Sequence, residues 1–524
     1  MTPSHGFARS ARSNPVQRTP AAGRWRLGFA SVCLGAAWAA LAARASGAEP
    51  APSPPPPIAV LERVVDLEVG ETQPVTLSNG KKVQVKLLDL QEEVDPVRQA
   101  VRRARVHVEV DGQRAWLTSA NYHLPVTLGA VQIDCPITRG PTRNSNTDAW
   151  GLLKAARLRL WPAGSPWTVP GTFGYPLRQR WLAASTQMAN EPVYVDHGEN
   201  PKVRKIYYHY GLDFGGCEGL DEVVAATDGL VVSARTEALE GYQDTPVRPR
   251  YDVVYVLDGR GWFYRYSHFY RIDPDIRPGT RVRMGQRLGL LGKEGGSGGW
   301  THLHFDIFCR QPSGKWGCHE AYAFVWEAYV HQYRPKVLAV ARPHHLILSG
   351  QTVELDASRS WSALGPIARF QWTFADGTSA EGPRVTRTYA KAGYYTETVK
   401  VTDAAGNIDY DFAVVVVIDR QRPSEAPPSI HVTYHPTLGV RAGREVTFKA
   451  RTFGTTDGEE TWDFGDGTPR QTTRSDGNVK PLAPDGYVVV GHRFAKPGHY
   501  IVRVQRTDRY GQTAVNAVHV EVEP

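Results

Sequence analysis

A seven-residue motif occurs twice in the C-terminal part of this chain of 524 residues. Residues 372–378 read Trp-Thr-Phe-Ala-Asp-Gly-Thr, and residues 462–468 read Trp-Asp-Phe-Gly-Asp-Gly-Thr. After each copy come an aromatic residue with Ala-Lys-x-Gly and then an alternating segment that contains Thr-Asp. A strand that carries a core Trp and ends in an Asp-Gly turn is typical of a small β-sandwich. The repetition therefore predicts two consecutive copies of one β domain.

These motifs resemble those of PKD domains, the immunoglobulin-like modules of extracellular proteins. The resemblance covers residues 341–419 and 429–524, with a Pro-rich linker at 420–428 between them. The motif of the second copy matches specifically, whereas the first copy departs from it at two positions. The second copy also has about 15 additional residues between Thr468 and Phe494, which we interpret as a long loop.

The length predicts three or four domains, because a chain of this size exceeds one compact core. Residues 58–170 contain short alternating segments and one predicted helix at 96–103, and we interpret them as a β-rich domain of unknown role. Residues 171–333 continue with strand-like segments between Gly-rich turns, which predicts an antiparallel β domain. The predicted fold class is mainly β, with this antiparallel domain flanked by the N-terminal domain and two immunoglobulin-like sandwiches.

The first 48 residues have the layout of an export signal. An Arg-rich start precedes an apolar run at 27–43, and small residues follow before Glu49. The run is slightly shorter than the roughly 20 residues of a spanning helix, so we expect cleavage near Ala48 and no membrane span afterwards, with a retained anchor as the alternative. The Pro-rich residues 49–57 predict a tether. The expected location is secreted, periplasmic or in the cell envelope.

The net charge of +8 gives no support for a nucleic-acid partner. Six arginines lie before the first acidic residue, Glu49, so removal of the leader removes six of the eight excess charges.

The cysteines predict disulfides, because an exported chain meets an oxidising compartment. Cys33 leaves with the leader, and four cysteines remain. Cys309 and Cys318 flank a turn-rich segment, which predicts a disulfide between them, and Cys135 and Cys217 would form the second pair by exclusion. Zinc ligation by these four is the alternative, although no Cys-x-x-Cys spacing favours it.

Two short motifs in the 171–333 region contain metal-ligand residues. Residues 209–213 read His-Tyr-Gly-Leu-Asp, and residues 302–304 read His-Leu-His. In a strand, positions i and i+2 face the same side, so His302 and His304 should face one place. Catalytic zinc takes three nitrogen or oxygen ligands and keeps a position open. Two histidines and one aspartate would meet that requirement, although any one histidine alone is more often a solvated or core-edge residue.

The context of these motifs resembles the lysostaphin or LytM type of zinc endopeptidase across about 130 residues. A glycine stands within the first motif, a Gly-rich loop at 292–299 precedes the second, and a strand-like run follows it. The resemblance implies that His209, Asp213 and His304 bind zinc and that His302 and His268 are catalytic. All five positions carry the expected residue type, which favours an active enzyme.

The resemblance further implies hydrolysis of peptide cross-links in bacterial peptidoglycan, or of Gly-rich peptides. Zinc would polarise the scissile carbonyl, and His302 or His268 would accept a proton or stabilise the oxyanion. The sequence does not decide which of the two is the general base. Asp306 shares the strand face of His302 and His304 and either orients a ligand imidazole or is a solvated acid.

Two other classes of function stay open. A catalytically silent protein could use the peptidase fold to bind wall peptides or to regulate another hydrolase, and bound zinc without turnover would indicate it. A surface adhesion protein would depend on the PKD-like modules alone. The cleaved bond, the role of residues 58–170, the ligand of the PKD-like modules and the oligomeric state are not determined by the sequence.

Overall fold

The computed structural model describes residues 53–145, 148–186, 188–189 and 208–524. The predicted export signal, residues 1–48, lies outside the described residues, as does the start of the predicted tether. Within the described ranges, no helix combines the length and the apolar character that a membrane span requires.

The N-terminal region folds into strands because its apolar residues alternate with polar ones. Val106, Val108 and Val110 are buried while the residues between them are partly exposed, which is the period of a half-buried strand. The elements are β1 (Arg63–Leu67), β2 (Thr72–Thr76), β3 (Lys82–Val94), β4 (Val101–Val110), β5 (Gln113–Thr118), β6 (Val126–Leu128), β7 (Val131–Thr138), α1 (Arg139–Asn144) and β8 (Ala156–Pro162). They form two antiparallel sheets of order β2-β3-β4-β5 and β1-β8-β7-β6 around one apolar core.

The helix predicted at 96–103 is wrong. A turn occupies this stretch, because the Oδ1 atom of Asp95 accepts the N–H of Val97 at 2.9 Å and the N–H of Asp95 donates to the carbonyl of Ala100. A short acidic side chain that bonds the backbone two residues further on favours a turn over a helix. Strand β4 then begins at Val101.

The middle region builds a large antiparallel sheet on an aromatic core. Its elements are β9 (Leu212–Gly215), β10 (Glu222–Val224), β11 (Gly229–Ala234), β12 (Glu237–Ala238), β13 (Val254–Leu257), β14 (Phe263–Ser267), β15 (Phe269–Ile272), β16 (Arg281–Val282), β17 (Arg287–Leu291), β18 (His302–Arg310), β19 (Trp316–His319), α2 (Tyr322–Tyr333) and β20 (Val337–Leu338). The sheet order is β12-β11-β13-β14-β18-β19, and β9 also pairs with β18. Helix α2 packs Phe324 and Trp326 into a core that contains Phe214 and Phe305. Both predicted site motifs therefore lie on or beside this sheet.

The C-terminal region consists of two sandwiches, each around a buried Trp. The first contains β21 (His345–Leu348), β22 (Thr352–Asp356), β23 (Trp361–Ser362), β24 (Ile367–Thr373), β25 (Ser379–Glu381), β26 (Arg384–Thr388), β27 (Gly393–Asp403) and β28 (Ile408–Ile418), and the second contains β29 (Ser429–His435), β30 (Glu445–Phe453), β31 (Glu460–Asp463), β32 (Gln471–Thr473), β33 (Val488–Arg493), β34 (Gly498–Thr507) and β35 (Thr513–Val522). Trp372 lies in the first core and Trp462 in the second. Strand β27 pairs in parallel with β35 through Gly393 and Tyr394, so one sheet runs through both sandwiches. The molecule is mainly β, as predicted.

The described residues from Ser53 to Pro524 form one compact unit. The domain boundaries drawn from the sequence stay predictions.

The predicted disulfides are wrong, because the four cysteines in the described part of the chain, Cys135, Cys217, Cys309 and Cys318, are free. Strand β18 pairs Cys309 with Gly317 and Phe308 with Cys318. Directly opposed residues share a face of the sheet and successive residues alternate, so the sulfurs of Cys309 and Cys318 lie on opposite faces. They accordingly belong to different apolar clusters. Burial raises the pKa of Cys309 to about 12, which makes its thiol unreactive.

We expect Cys309 and Cys318 to be recovered as unlinked thiols. Alkylation of the denatured protein without reductant, followed by peptide mass mapping, should label both cysteines. Reductant should leave the unfolding temperature unchanged, whereas loss of a real disulfide across so short a loop would remove about 2 to 4 kcal/mol. A disulfide-linked peptide containing both residues would contradict the register of β18 and β19.

Candidate metal centre and active site

Strand pairing brings the two predicted motifs together. In the β9–β18 ladder, Asp213 lies opposite His304 and Gly215 lies opposite His302. Gly211 has a φ of +86°, and a Cβ atom there would lie 2.8 Å from the carbonyl oxygen of Phe305. Only glycine permits this close approach of the chain to β18. The turn at Gly211 thus carries His209 over the end of the same ladder.

Three side-chain atoms of the predicted ligands converge. The Nε2 atom of His209 is 2.9 Å from Nδ1 of His304 and 3.1 Å from Oδ1 of Asp213. The Nδ1 atom of His304 is 2.9 Å from the same carboxylate oxygen. Ligand atoms about 2.0 to 2.1 Å from a tetrahedral zinc ion lie about 3.3 Å from one another, so this donor set fits zinc. The three residues form a group whose ligand atoms all lie within 4.8 Å.

A buried carboxylate orients one of these ligands. The Oδ2 atom of Asp306 is 2.9 Å from Nε2 of His304, and Asp306 is fully buried. The Nδ1 atom of His304 faces Asp213, and its Nε2 atom faces both Asp306 and, at 2.6 Å, Nη2 of Arg265. Arg265 lies directly opposite Asp306 on β14 and forms an ion pair with it. Asp306 therefore holds the imidazole in the orientation that a metal requires.

We expect Asp306→Ala to weaken metal binding by about 10- to 100-fold, because the imidazole of His304 loses its orienting partner. Competition with a chelator of known affinity measures the change. Asp306→Asn keeps an acceptor oxygen, so its metal affinity should fall less than that of Asp306→Ala. Asp275→Ala, at an exposed acid of the same region, serves as the control. An unchanged affinity in Asp306→Ala would show that the carboxylate does not support the site.

The two predicted catalytic histidines adjoin the ligands, each with one nitrogen occupied by a backbone carbonyl. The Nδ1 atom of His302 is 3.1 Å from the carbonyl oxygen of Trp300, and that of His268 is 2.6 Å from the carbonyl oxygen of Glu294. Because a carbonyl only accepts, both Nδ1 atoms carry a proton and both Nε2 atoms are acceptors. The Nε2 atom of His302 is 3.6 Å from Oδ2 of Asp213. The rings of His302 and His268 have centroids 4.7 Å apart.

Asp252 holds the backbone of His268 in an uncommon conformation. His268 has a φ of +71°, which costs a residue with a Cβ atom of order 1 to 3 kcal/mol. Its N–H donates to Oδ2 of Asp252 at 3.0 Å, and the side chain of Asp252 is fully buried. This bond retains the strained conformation and directs the imidazole of His268 toward His302.

Burial keeps both catalytic candidates neutral. It lowers the pKa of His302 to about 3, and it lowers the pKa of His268 although Asp252 opposes the shift. Burial alone would raise the pKa of Asp213, but the interaction with His209 and the hydrogen bonds of His209 and His304 outweigh it and hold that pKa well below its usual range. At neutral pH the site thus offers a carboxylate and two neutral imidazoles.

Comparison with known proteins places this site in a recognised family. Residues 207–314 match the family model of peptidase family M23. Residues 334–417 and 429–522 each match a PKD domain model. This chain contains a peptidase family M23 domain followed by two PKD domains. The resemblance drawn from the sequence is thereby confirmed at the level of domain families, and all five predicted site residues lie within the M23 match.

Individual relatives share parts of the chain. Peptidoglycan DD-endopeptidase ShyA of Vibrio cholerae serotype O1 is 27% identical over 136 residues, which are 26% of this chain and 27% of that protein. The chain thus matches about a quarter of the length of this curated relative. LytM of Ruminococcus gnavus is 19% identical with a TM-score of 0.18, covering 30% of this chain and 61% of that chain. Csd3 of Helicobacter pylori is 13% identical with a TM-score of 0.20, covering 50% and 82%.

The structure brings together all five predicted residues, and their roles as ligands and catalysts stay predictions. Sequence reasoning missed four contributors to the M23 site: Asp252, Arg265 and the carbonyls of Trp300 and Glu294. Arg265 had a signal, because it interrupts the aromatic run Tyr264–Tyr266 on a buried strand. A cation at such a position needs an anionic partner. Asp252 had none, since only the folded chain brings it to the backbone of His268.

Proposed function

We propose that this chain is a zinc-dependent endopeptidase of the cell envelope that hydrolyses peptide cross-links in bacterial peptidoglycan. The convergence of His209, Asp213 and His304 within 2.9 to 3.1 Å carries the proposal. The M23 match supports a peptidase. The adjacent pair of neutral imidazoles supports an active enzyme over a silent binding protein, because binding alone requires no proton acceptor.

The residues of the chain divide the chemistry between them. Zinc held by His209, Asp213 and His304 would polarise the scissile carbonyl and increase the acidity of water. The Nε2 atom of His302 or His268 accepts the proton of the attacking water and then, as a donor, returns it to the leaving amine. His302 and His268 are each 6% exposed, so the proton transfers take place away from bulk water, where charge interactions are stronger.

The substrate class is a further part of the proposal. Its support is the curated relative ShyA, whose name gives it as a peptidoglycan DD-endopeptidase. The PKD domains and the predicted export signal support action outside the cytoplasm.

Digestion of purified peptidoglycan tests the function. The full chain is incubated with one peptidoglycan that has direct cross-links between stem peptides and with another that has glycine bridges, and the products are identified by mass spectrometry. Cross-linked dimers should become monomers with intact glycan strands, and a chelator should stop the reaction until zinc is restored. His209→Ala is the negative control. Absence of peptide cleavage by folded, zinc-loaded protein, or cleavage that ignores the chelator, would contradict the proposal.

A further inference from the structure

The second PKD domain is bonded to the segment that leads into His302. Residues 298–301, here the 298–301 segment, immediately precede β18 in the M23 domain. Three side chains of the second PKD domain form hydrogen bonds with its main chain, each 3.0 Å long. Asn478 donates to the carbonyl of Gly298, Arg451 donates to the carbonyl of Gly299, and the hydroxyl of Tyr487 accepts the N–H of Thr301.

The side chain of Trp300, in the middle of this segment, is held by the same domain. Its ring stacks on Phe453 with centroids 4.2 Å apart and an interplanar angle of 11°, and His431 lies 5.0 Å away on centroids. The carbonyl of Trp300 is the acceptor of the Nδ1–H of His302. The atom that sets the orientation of His302 is therefore fixed on both sides by groups from another domain.

The M23 domain and the second PKD domain are in close contact at Gly299. Gly299 has a φ of +89°, and a Cβ atom there would collide with Asn478 and lie 2.8 Å from Nη1 of Arg451. Arg451 is itself fully buried, and Asp476 accepts two of its N–H groups at 2.8 and 2.6 Å. These contacts hold the 298–301 segment against the second PKD domain.

Tyr487 joins the segment to a buried polar chain. Its hydroxyl is 2.8 Å from Nδ1 of His431, whose Nε2 is 2.8 Å from Oγ1 of Thr186. Burial lowers the pKa of His431 to about 3, so its imidazole is neutral. We assign the hydroxyl proton of Tyr487 to the bond with His431, which leaves the oxygen to accept the N–H of Thr301. The Tyr487 hydroxyl then donates to His431 and accepts from Thr301.

Two of these contacts come from a loop that the first copy lacks. Asn478 and Tyr487 both lie between Thr468 and Phe494, where this copy has about 15 more residues than the first. The sandwich of the first copy closes without them. This loop therefore contacts the neighbouring M23 domain through Asn478 and Tyr487.

We propose that the second PKD domain positions His302, with Tyr487 as the principal positioning residue. Tyr487 and its neighbours fix the 298–301 segment, and the carbonyl of Trp300 then holds the imidazole of His302 with Nε2 toward the three ligands. The inference rests on the proposed function, since it makes the second PKD domain a structural part of the active site.

Tyr487→Phe in the full chain tests the inference, because it removes only the hydroxyl. The kcat for peptide cleavage should fall about tenfold, the size of one net buried hydrogen bond whose loss reaches His302 through the 298–301 segment, while KM changes little. Tyr434→Phe is the matched control, since Tyr434 is a buried tyrosine of the same domain whose hydroxyl donates to the carbonyl of His519 at 2.7 Å. An equal fall of kcat in both variants, or no fall in Tyr487→Phe, would overturn the inference.

Coupling to His302 separates positioning from general destabilisation. In the His302→Ala background, Tyr487→Phe should cause no further loss of kcat, because the group through which it acts is gone. A further tenfold fall in that background would overturn the inference.

The imidazole nitrogen shifts of His302 test the inference without any substrate. With ¹⁵N-labelled histidine, and assignment by comparison with His302→Ala, the parent should show the Nδ1–H tautomer and Tyr487→Phe a mixture of tautomers. Asn478→Gly removes the hydrogen bond to Gly298, and glycine is compatible with the φ of +59° at that position. The His302 signals of this variant should also move toward a mixture of tautomers, but less far than in Tyr487→Phe. Unchanged signals in both variants would overturn the inference. If the signals respond but the parent cleaves no peptidoglycan, the proposed function fails and the positioning stands.

Discussion

Replacement of His304 by alanine should remove the metal and abolish peptide cleavage together. His304 supplies the ligand atom that lies 2.9 Å from both other ligands, so its loss leaves two donors where catalytic zinc takes three. Lewis-acid stabilisation is worth several kcal/mol, and we therefore expect kcat/KM to fall by at least about a thousandfold. Zinc content measured by atomic emission on the purified variant, beside its rate of cross-link cleavage, gives both results.

The control for this prediction is His331→Ala. His331 is an exposed histidine near the end of α2 in the same region, and its removal should change neither zinc content nor rate. Asp213→Ala and His209→Ala should behave like His304→Ala. Full zinc retention in all three variants would place the metal site elsewhere in the protein.

Replacement of His302 by alanine should separate metal binding from catalysis. His302 adjoins the ligands, but its Nδ1 is bonded to the carbonyl of Trp300 and its Nε2 is 3.6 Å from Asp213, so the three ligand atoms remain in place without it. Zinc content and unfolding temperature should stay close to those of the parent, while kcat falls by at least about 100-fold, as expected for losing a positioned proton acceptor.

His302→Gln refines this test, because the amide fills a similar volume but does not accept a proton at neutral pH. It should be as slow as His302→Ala. Cleavage by either variant at nearly the parent rate would remove His302 from the mechanism. A parent that binds zinc and cleaves nothing would favour the silent binding protein.

The local part of the site could be predicted from the sequence, and the long-range part could not. The period of two along a strand predicts that His302 and His304 face one side, and β18 has that geometry. That Asp213 lies opposite His304 depends on pairing between segments 91 residues apart. Spacing within a motif carries no information about such a partner, and only the family resemblance supplied it.

The wrong prediction of a disulfide between Cys309 and Cys318 also comes from strand pairing, in this case from the register of β18 and β19. Paired residues on β18 and β19 have numbers that add up to 626, as in Ile307 with His319, whereas Cys309 and Cys318 add up to 627. An offset of one residue turns a side chain to the other face of the sheet. The turn between two cysteines shows that they lie near each other in the hairpin. The pairing register then decides whether their side chains lie on the same face, where the sulfurs could form a bond.

The sheet that runs through both PKD domains restricts how this protein can be shortened. Gly393 and Tyr394 of β27 take their partners from Thr513 and Ala514 of β35, and a Cβ atom at Gly393 would lie 2.8 Å from the carbonyl of Thr513. A truncation after the first domain would open that strand edge, and open edges recruit other chains. For protein engineering the two PKD domains thus form one structural unit, and neither of them should be removed without the other.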